Sequence, residues 1–340
     1  MTVAAIVAAS LVSALLSWGL SRYRGRFALL DLPNHRSLHS GATPRSGGLA
    51  ILAGIVVGAA ASLPLSLPQA PWAGLALLLV AAVSFGDDLW RLPAWLRLAV
   101  HLAAALLLVY AAGYLPAAVH LLPGWAWTAP AWAIAAFCVL FTGWLVNLYN
   151  FMDGMDGFAG GMALIGFGTL ALLGWLDAAP GYAIAALIVA AAAGGFLPFN
   201  FPPARLFMGD VGSGSLGLLV ALFLLWAERA GLFPLWLGAL VFSPFMVDAT
   251  WTVIRRALQG KRPWQAHREH FYQRLVRTGW SHRRTTLWAY ILMLKCSLLA
   301  VLASCFTAIG VQGLLLGWMA AVYLAVIAYV NARERRSLSK

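Results

Sequence analysis

The chain has 340 residues, of which 62% are hydrophobic and only 10% charged, and its mean hydropathy is +0.83. A soluble domain carries roughly a quarter charged residues, so this polypeptide cannot cover itself with polar surface. Its apolar runs are continuous, which excludes a barrel of alternating strands, and its net charge of +12 marks basic loops against anionic lipid headgroups, not a nucleic-acid binder.

A hydrocarbon core about 30 Å thick takes roughly 20 apolar residues per helix. By that measure the chain holds about eleven transmembrane spans, at 3–20, 48–66, 72–86, 97–118, 130–148, 159–176, 181–198, 213–229, 232–253, 286–308 and 311–331. The expectation is an all-α polytopic membrane protein folded as a single unit over 1–340. The first run has no basic residue before it and is followed by Arg22, Arg24 and Arg26, so it reads as a retained helix and not as a cleaved leader. Cys138, Cys296 and Cys305 all lie inside apolar runs without paired spacing, which suggests neither disulfides nor zinc.

Basic residues gather in cytoplasmic loops. With the N-terminus outside and the C-terminus cytoplasmic, the loops at 21–47, 87–96, 149–158, 199–212 and 254–285 and the tail face the cytoplasm. Those segments and their edges then carry all but Arg229 and Lys295 of the 23 Lys and Arg. The acids sort the same way: of the 11, only Asp177 and Glu228 fall on the other face. Carboxylates gathered at one membrane face hold a cation or move protons.

Four cytoplasmic segments carry the chemistry. Asp87 and Asp88 are adjacent at the end of the third span, with Arg91 and Arg97 following; neighbouring carboxylates repel unless a metal or an arginine neutralises them. Next, Asn147, Asn150, Asp153 and Asp156 recur every third residue, with Gly154 and Gly157 between and after the acids. That spacing lines oxygen donors along one side of a helix or tight turn, a set suited to Mg²⁺ or Mn²⁺. In the third segment Asn200, Phe207 and Asp210 precede Gly212, Ser213, Gly214 and Ser215. A helix start of this kind exposes N–H groups that suit phosphate, with Phe207 placed to stack on a base and Asn200 to read its edge. The fourth, a long basic loop, holds His267, Arg268, Glu269 and His270; it reads as a lid over phosphates, its two histidines three apart on one helix face.

These motifs together resemble the polyprenyl-phosphate N-acetylhexosamine-1-phosphate transferases, over nearly the whole chain from Asp31 and the Thr43–Gly48 segment to His270. The combination Trp264-Gln-Ala-His267-Arg-Glu-His270-Phe-Tyr-Gln-Arg274 looks most like the O-antigen-initiating branch. The resemblance implies an enzyme of the bacterial inner membrane, with its active site facing the cytoplasm. Such an enzyme transfers a sugar-1-phosphate from a UDP-N-acetylhexosamine (UDP-GlcNAc, UDP-FucNAc or UDP-QuiNAc) to undecaprenyl phosphate. It uses Mg²⁺, Mn²⁺ being possible, and releases UMP. The implied metal ligands are Asp210 and Asn150, and the implied catalytic residues are Asp87, Asp88, Asp153, His267 and His270. Asn200, Phe207, Asp156, Arg91, Arg268, Gly212 and Ser213 are implied in substrate binding. Membrane lipids are the surrounding partners, a homodimer is open, and no nucleic acid is involved. Arg91 stands where the peptidoglycan branch often has lysine. The competing class is a cation- or proton-coupled transporter, whose ionisable groups would lie near the bilayer midplane.

Overall fold

The computed structural model describes residues 2–23, 29–31, 42–62, 70–262 and 267–338. In hydrocarbon every backbone N–H and C=O must be satisfied within the segment, and the apolar runs accordingly form helices. In chain order these are α1 (Thr2–Arg22), α2 (Gly47–Ala61), α3 (Ala70–Trp90), α4 (Ala94–Leu106), α5 (Ala131–Met152), α6 (Phe158–Leu176), α7 (Pro180–Asn200), α8 (Gly209–Ala230), α9 (Leu235–Val241), α10 (Ser243–Leu258), α11 (Phe271–Arg277), α12 (His282–Cys305) and α13 (Ile309–Leu338). Two antiparallel strand pairs complete the described fold, β1 (Leu30–Asp31) with β2 (Thr43–Pro44) and β3 (Val119–Leu122) with β4 (Trp125–Trp127).

Each expected span corresponds to helix, although two of them are not plain crossings. Among the described residues nine helices are long and apolar enough to span a bilayer; α9 and α10 form a tenth only as a pair bent by 86°. The remaining run is α2, only 15 residues long. Boundaries shift most around the expected loops. α3 runs on to Trp90 and α8 starts at Gly209, so Asp87, Asp88 and Asp210 sit on helix ends and not in loops. The run expected at 97–118 leaves the helical path after a π turn at Leu107–Ala111, and β3–β4 follows.

Within lipid, helices associate through close packing of small residues and not through hydrophobic collapse. α1 shows the pattern: Ala5, Ala9, Ser13, Ser17 and Ser21, every fourth residue, form its buried side, and it packs on α2 and α7. The axis of the bundle is α8. Its apolar stretch is 89% buried, against 11% for the peripheral α13, and α2, α3 and α5 surround it. A functional group at the start of α8 is thereby held on the most enclosed element of the fold.

Candidate active site

The start of α8 is joined to the end of α3 and to the segment before α2. Glycines at positions 48 and 212 make this possible: a Cβ on Gly48 would lie 2.2 Å from the Gly212 amide nitrogen. The strand-like stretch is stitched on by backbone bonds, Phe207 N–H to Pro44 O (2.7 Å), Gly47 N–H to Phe207 O (2.9 Å) and Gly48 N–H to Met208 O (2.7 Å). Asp88 then lies beneath the first turn of α8, accepting from the Asp210 amide at 3.5 Å. Its side chain is 1% exposed and its Oδ1 lies 3.4 Å from Arg45 Nη1. Arg97, from the first turn of α4, pairs with Asp87 and stands 3.9 Å from Asp210 Oδ2.

Two arginines thus face three carboxylates, and a fourth adds to the excess. Asp153 closes α5 as its C-terminal cap. Burial, then the charges of Asp210 and Asp88, push its carboxyl well above the usual carboxylate range. The donor set is hard oxygen, and Asp88 Oδ2 is buried without a hydrogen-bond partner among the described residues. Both properties fit a divalent cation. No three Asp, Glu, His or Cys side chains among the described residues converge into a ready-made cage. Mg²⁺ does not require one, because it is held by one or two carboxylates together with substrate phosphates and water.

The second motif does not keep one face. α5 ends at Met152 and Gly157 adopts a left-handed φ of 72°, so the three-residue spacing breaks between Asn150 and Asp156. Asn147 turns back to Gly143 O (2.7 Å). The Asn150 amide makes no hydrogen bond among the described residues and is half-buried beside the Asp153 cap. Asp156 points elsewhere, accepting from the Ala204 amide at 3.0 Å and standing 3.3 Å from His282 Nδ1.

Three expected substrate contacts are occupied by the scaffold. Asn200 is 3% exposed; its Oδ1 accepts from Gly157 N–H and its Nδ2 donates to Leu206 O, both at 3.0 Å. It therefore joins the Asp156 turn to the loop carrying Phe207. Ser213 is fully buried, and its hydroxyl donates to Gly209 O at 3.3 Å. Gly212 abuts Gly48 and Met208. The helix-start amides expected to meet phosphate are faced instead by Asp88. Phe207 remains half-buried at the rim. Arg91 is exposed at a positive φ of 51°; Arg97 and Arg45, not Arg91, neutralise the paired acids.

The histidines do not share a helix. α11 begins only at Phe271, because Asp248 from α10 accepts from the Phe271 and Tyr272 amides at 2.9 and 3.4 Å. His270 is the cap residue before it, 3% exposed, with Nδ1 3.2 Å from Asp248 Oδ1. His267 is half-buried, its ring 4.9 Å from that of His270. Burial, then His270 and Arg256, hold it down to a pKa of about 4, so it is neutral near pH 7. The segment is moored on two sides. Tyr272 donates to Phe151 O at 3.1 Å, and Arg274 binds Asn331 Oδ1 at 2.6 Å and Glu334 Oε2 at 2.5 Å on α13. Glu269 gathers Arg255, Arg256 and Lys261. The Arg268 carbonyl accepts from Arg277 (3.4 Å). Trp264 to Ala266 and Asn34 lie outside the described residues.

Arg45 and His282 contact expected site carboxylates, and sequence reasoning gave neither a role. Arg45 carried a signal, since it precedes the adjacent Gly47 and Gly48 that bring it against α8. His282 carried none, because nothing in its neighbourhood points to a turn 126 positions earlier.

Residues 71–228 match the glycosyl transferase family 4 model. The chain is 32% identical over 302 residues to the decaprenyl-phosphate N-acetylglucosaminephosphotransferase of Mycobacterium tuberculosis (strain ATCC 25618 / H37Rv), covering 78% of this chain and 73% of that protein. The chain belongs to glycosyl transferase family 4. Another relative is the phospho-N-acetylmuramoyl-pentapeptide-transferase of Levilactobacillus brevis, 32% identical over 83% of this chain and 90% of its own. The undecaprenyl-phosphate alpha-N-acetylglucosaminyl 1-phosphate transferase of Escherichia coli (strain K12) is 27% identical over 81% and 76% respectively. Family membership makes the chain a membrane sugar-phosphate transferase and sets the transporter reading aside. Asp87, Asp88, Asn150, Asp153, Asp156, Asn200, Phe207 and Asp210 all lie inside the matched region; Arg45 and the histidine segment lie outside it.

Proposed function

We propose that this enzyme transfers an N-acetylhexosamine-1-phosphate from a UDP-sugar to undecaprenyl phosphate at the cytoplasmic face of the bacterial inner membrane, with Mg²⁺, releasing UMP and starting a lipid-linked glycan. The observation that carries the proposal is the buried, unmatched Asp88 oxygen beside Asp210 at the start of α8, in a patch with more carboxylates than arginines. The relatives' names add the substrate classes: a polyprenyl phosphate acceptor and an N-acetylglucosamine-type donor. The preponderance of Lys and Arg in the loops at that end of the bundle favours the cytoplasmic side.

A lipid-phosphate oxygen attacks the sugar-bearing phosphorus of the donor. A new P–O bond forms as the bond to UMP breaks, and UMP leaves opposite. Two anions must meet, so the barrier is chiefly electrostatic. Asp210, Asp88 and Asn150 are the residues that would hold a divalent cation, which would supply neutralisation of the diphosphate charge. Arg45 and Arg97 keep their carboxylates fixed and in place. Asp156 faces the nucleoside half. His267, neutral and half-buried, offers a hydrogen-bonding nitrogen to the diphosphate. A phosphate monoester is largely ionised near pH 7, so little general-base assistance is needed.

The test is direct. Purified protein with undecaprenyl phosphate, Mg²⁺ and a panel of UDP-N-acetylhexosamines should release UMP with at least one donor; no UMP from any donor sinks the proposal.

A further inference from the structure

Three residues of α12 lie at four-residue intervals, His282, Thr286 and Tyr290, and so form one stripe along the helix. All three meet a single turn. Thr286 donates to Asp156 O (2.8 Å), Tyr290 donates to Gly157 O (2.6 Å), and His282 Nδ1 stands 3.3 Å from Asp156 Oδ1. The same turn is gripped from the other side by Asn200 Oδ1 on Gly157 N–H and by the Ala204 amide on Asp156 Oδ2. Of these contacts, the two hydroxyls and Asn200 hold backbone. Among the described residues, His282 and the Ala204 amide are the groups that touch the Asp156 carboxylate, and His282 is the one that does so with a side chain.

The geometry points to His282 as the positioning residue that aims Asp156 at the nucleoside of the donor. A carboxylate held by the Ala204 amide alone could rotate about its side-chain torsions; the imidazole, 18% exposed beside a carboxylate 12% exposed, fixes the second oxygen. With Nδ1 beside that oxygen, the ring's second nitrogen, Nε2, is the one left to meet a base or ribose group. His282, Thr286 and Tyr290 all lie beyond the stretch matched to the family model, so the contribution comes from a helix outside that core.

The inference rests on the proposed reaction, and its test separates the two. UMP release by the wild-type protein with undecaprenyl phosphate and its best UDP-sugar establishes the reaction. In that assay His282→Ala should raise KM for the UDP-sugar about tenfold, with kcat and KM for undecaprenyl phosphate within about twofold of wild type. His282→Asn, whose amide nitrogen falls near the place of Nδ1, should recover most of the loss. An unchanged KM for the UDP-sugar, equal losses toward both substrates, or failure of His282→Asn to recover would each overturn the assignment.

Discussion

Asp88, at the end of α3, lies beneath the Asp210 amide that opens α8, with one carboxylate oxygen turned to that amide and to Arg45 and the other without a partner among the described residues. Asp88→Asn keeps the shape and removes the charge. Turnover should fall about a hundredfold, the scale of removing one preorganised electrostatic group. Arg45→Met should act on stability as well, because it leaves the buried charge unmatched. A loss on the order of 1–3 kcal/mol is expected, read as a lower thermal midpoint in detergent.

The proposed metal dependence can be tested at the same patch. EDTA should abolish UMP release, Mg²⁺ should restore it, and Mn²⁺ should substitute in part. Asp210→Asn should shift the Mg²⁺ concentration for half-maximal rate upward. If that concentration stays at its wild-type value in Asp210→Asn, Asp210 is not a ligand.

The two histidines should separate cleanly. His270 is buried against Asp248 at the start of α11, so His270→Ala should lower the thermal midpoint along with activity. His267 is half-buried and holds no helix; His267→Ala should depress kcat while the midpoint moves little. Differential scanning fluorimetry beside the UMP assay distinguishes them.

His267 also predicts a pH effect. Its folded pKa of about 4 lies below its ordinary 6.5, so the unfolded chain takes up the proton first as pH falls. Stability should therefore decline from about pH 6.5 toward pH 4 and lose nothing more from this group below that. His267→Gln should shrink the difference between thermal midpoints at pH 7 and pH 5. An undiminished difference would assign the acid sensitivity elsewhere.

Much of this fold was legible in the sequence because bilayer thickness is a one-dimensional constraint: apolar runs of a set length form helix, and each of the expected runs contains one, although the run at 97–118 leaves it after Ala111. The site was legible by residue type but not by partner. Asp87 beside Arg91 suggested a local pair, yet the chain turns at Arg91 and brings Arg97 back instead. Asn200 and Ser213 have the chemistry of ligand contacts, and the fold uses both on backbone atoms, which only three-dimensional packing reveals. Asp248 lies in the run expected at 232–253. Its role as the cap of α11 depends on amides 23 and 24 residues away, a distance at which no local pattern survives.

The joint between α2 and α8 yields the sharpest structural prediction. A methyl group at Gly48 would meet the Gly212 backbone at 2.2 and 2.5 Å, and backbone cannot step aside as a side-chain tip can. Gly48→Ala should give little monodisperse protein. Gly310→Ala, where nothing lies within 4 Å, should behave as wild type in size-exclusion chromatography.

The bond from Arg274 to Glu334 and Asn331 bears on how the enzyme comes into being. A polypeptide inserted into a bilayer from its first helix onward would have Asp88 and Asp210 in place while the ribosome still held α13. The histidine segment would by then lack its far mooring. A nascent chain stalled before residue 331 would therefore hold its carboxylates with the histidine segment moored on one side only.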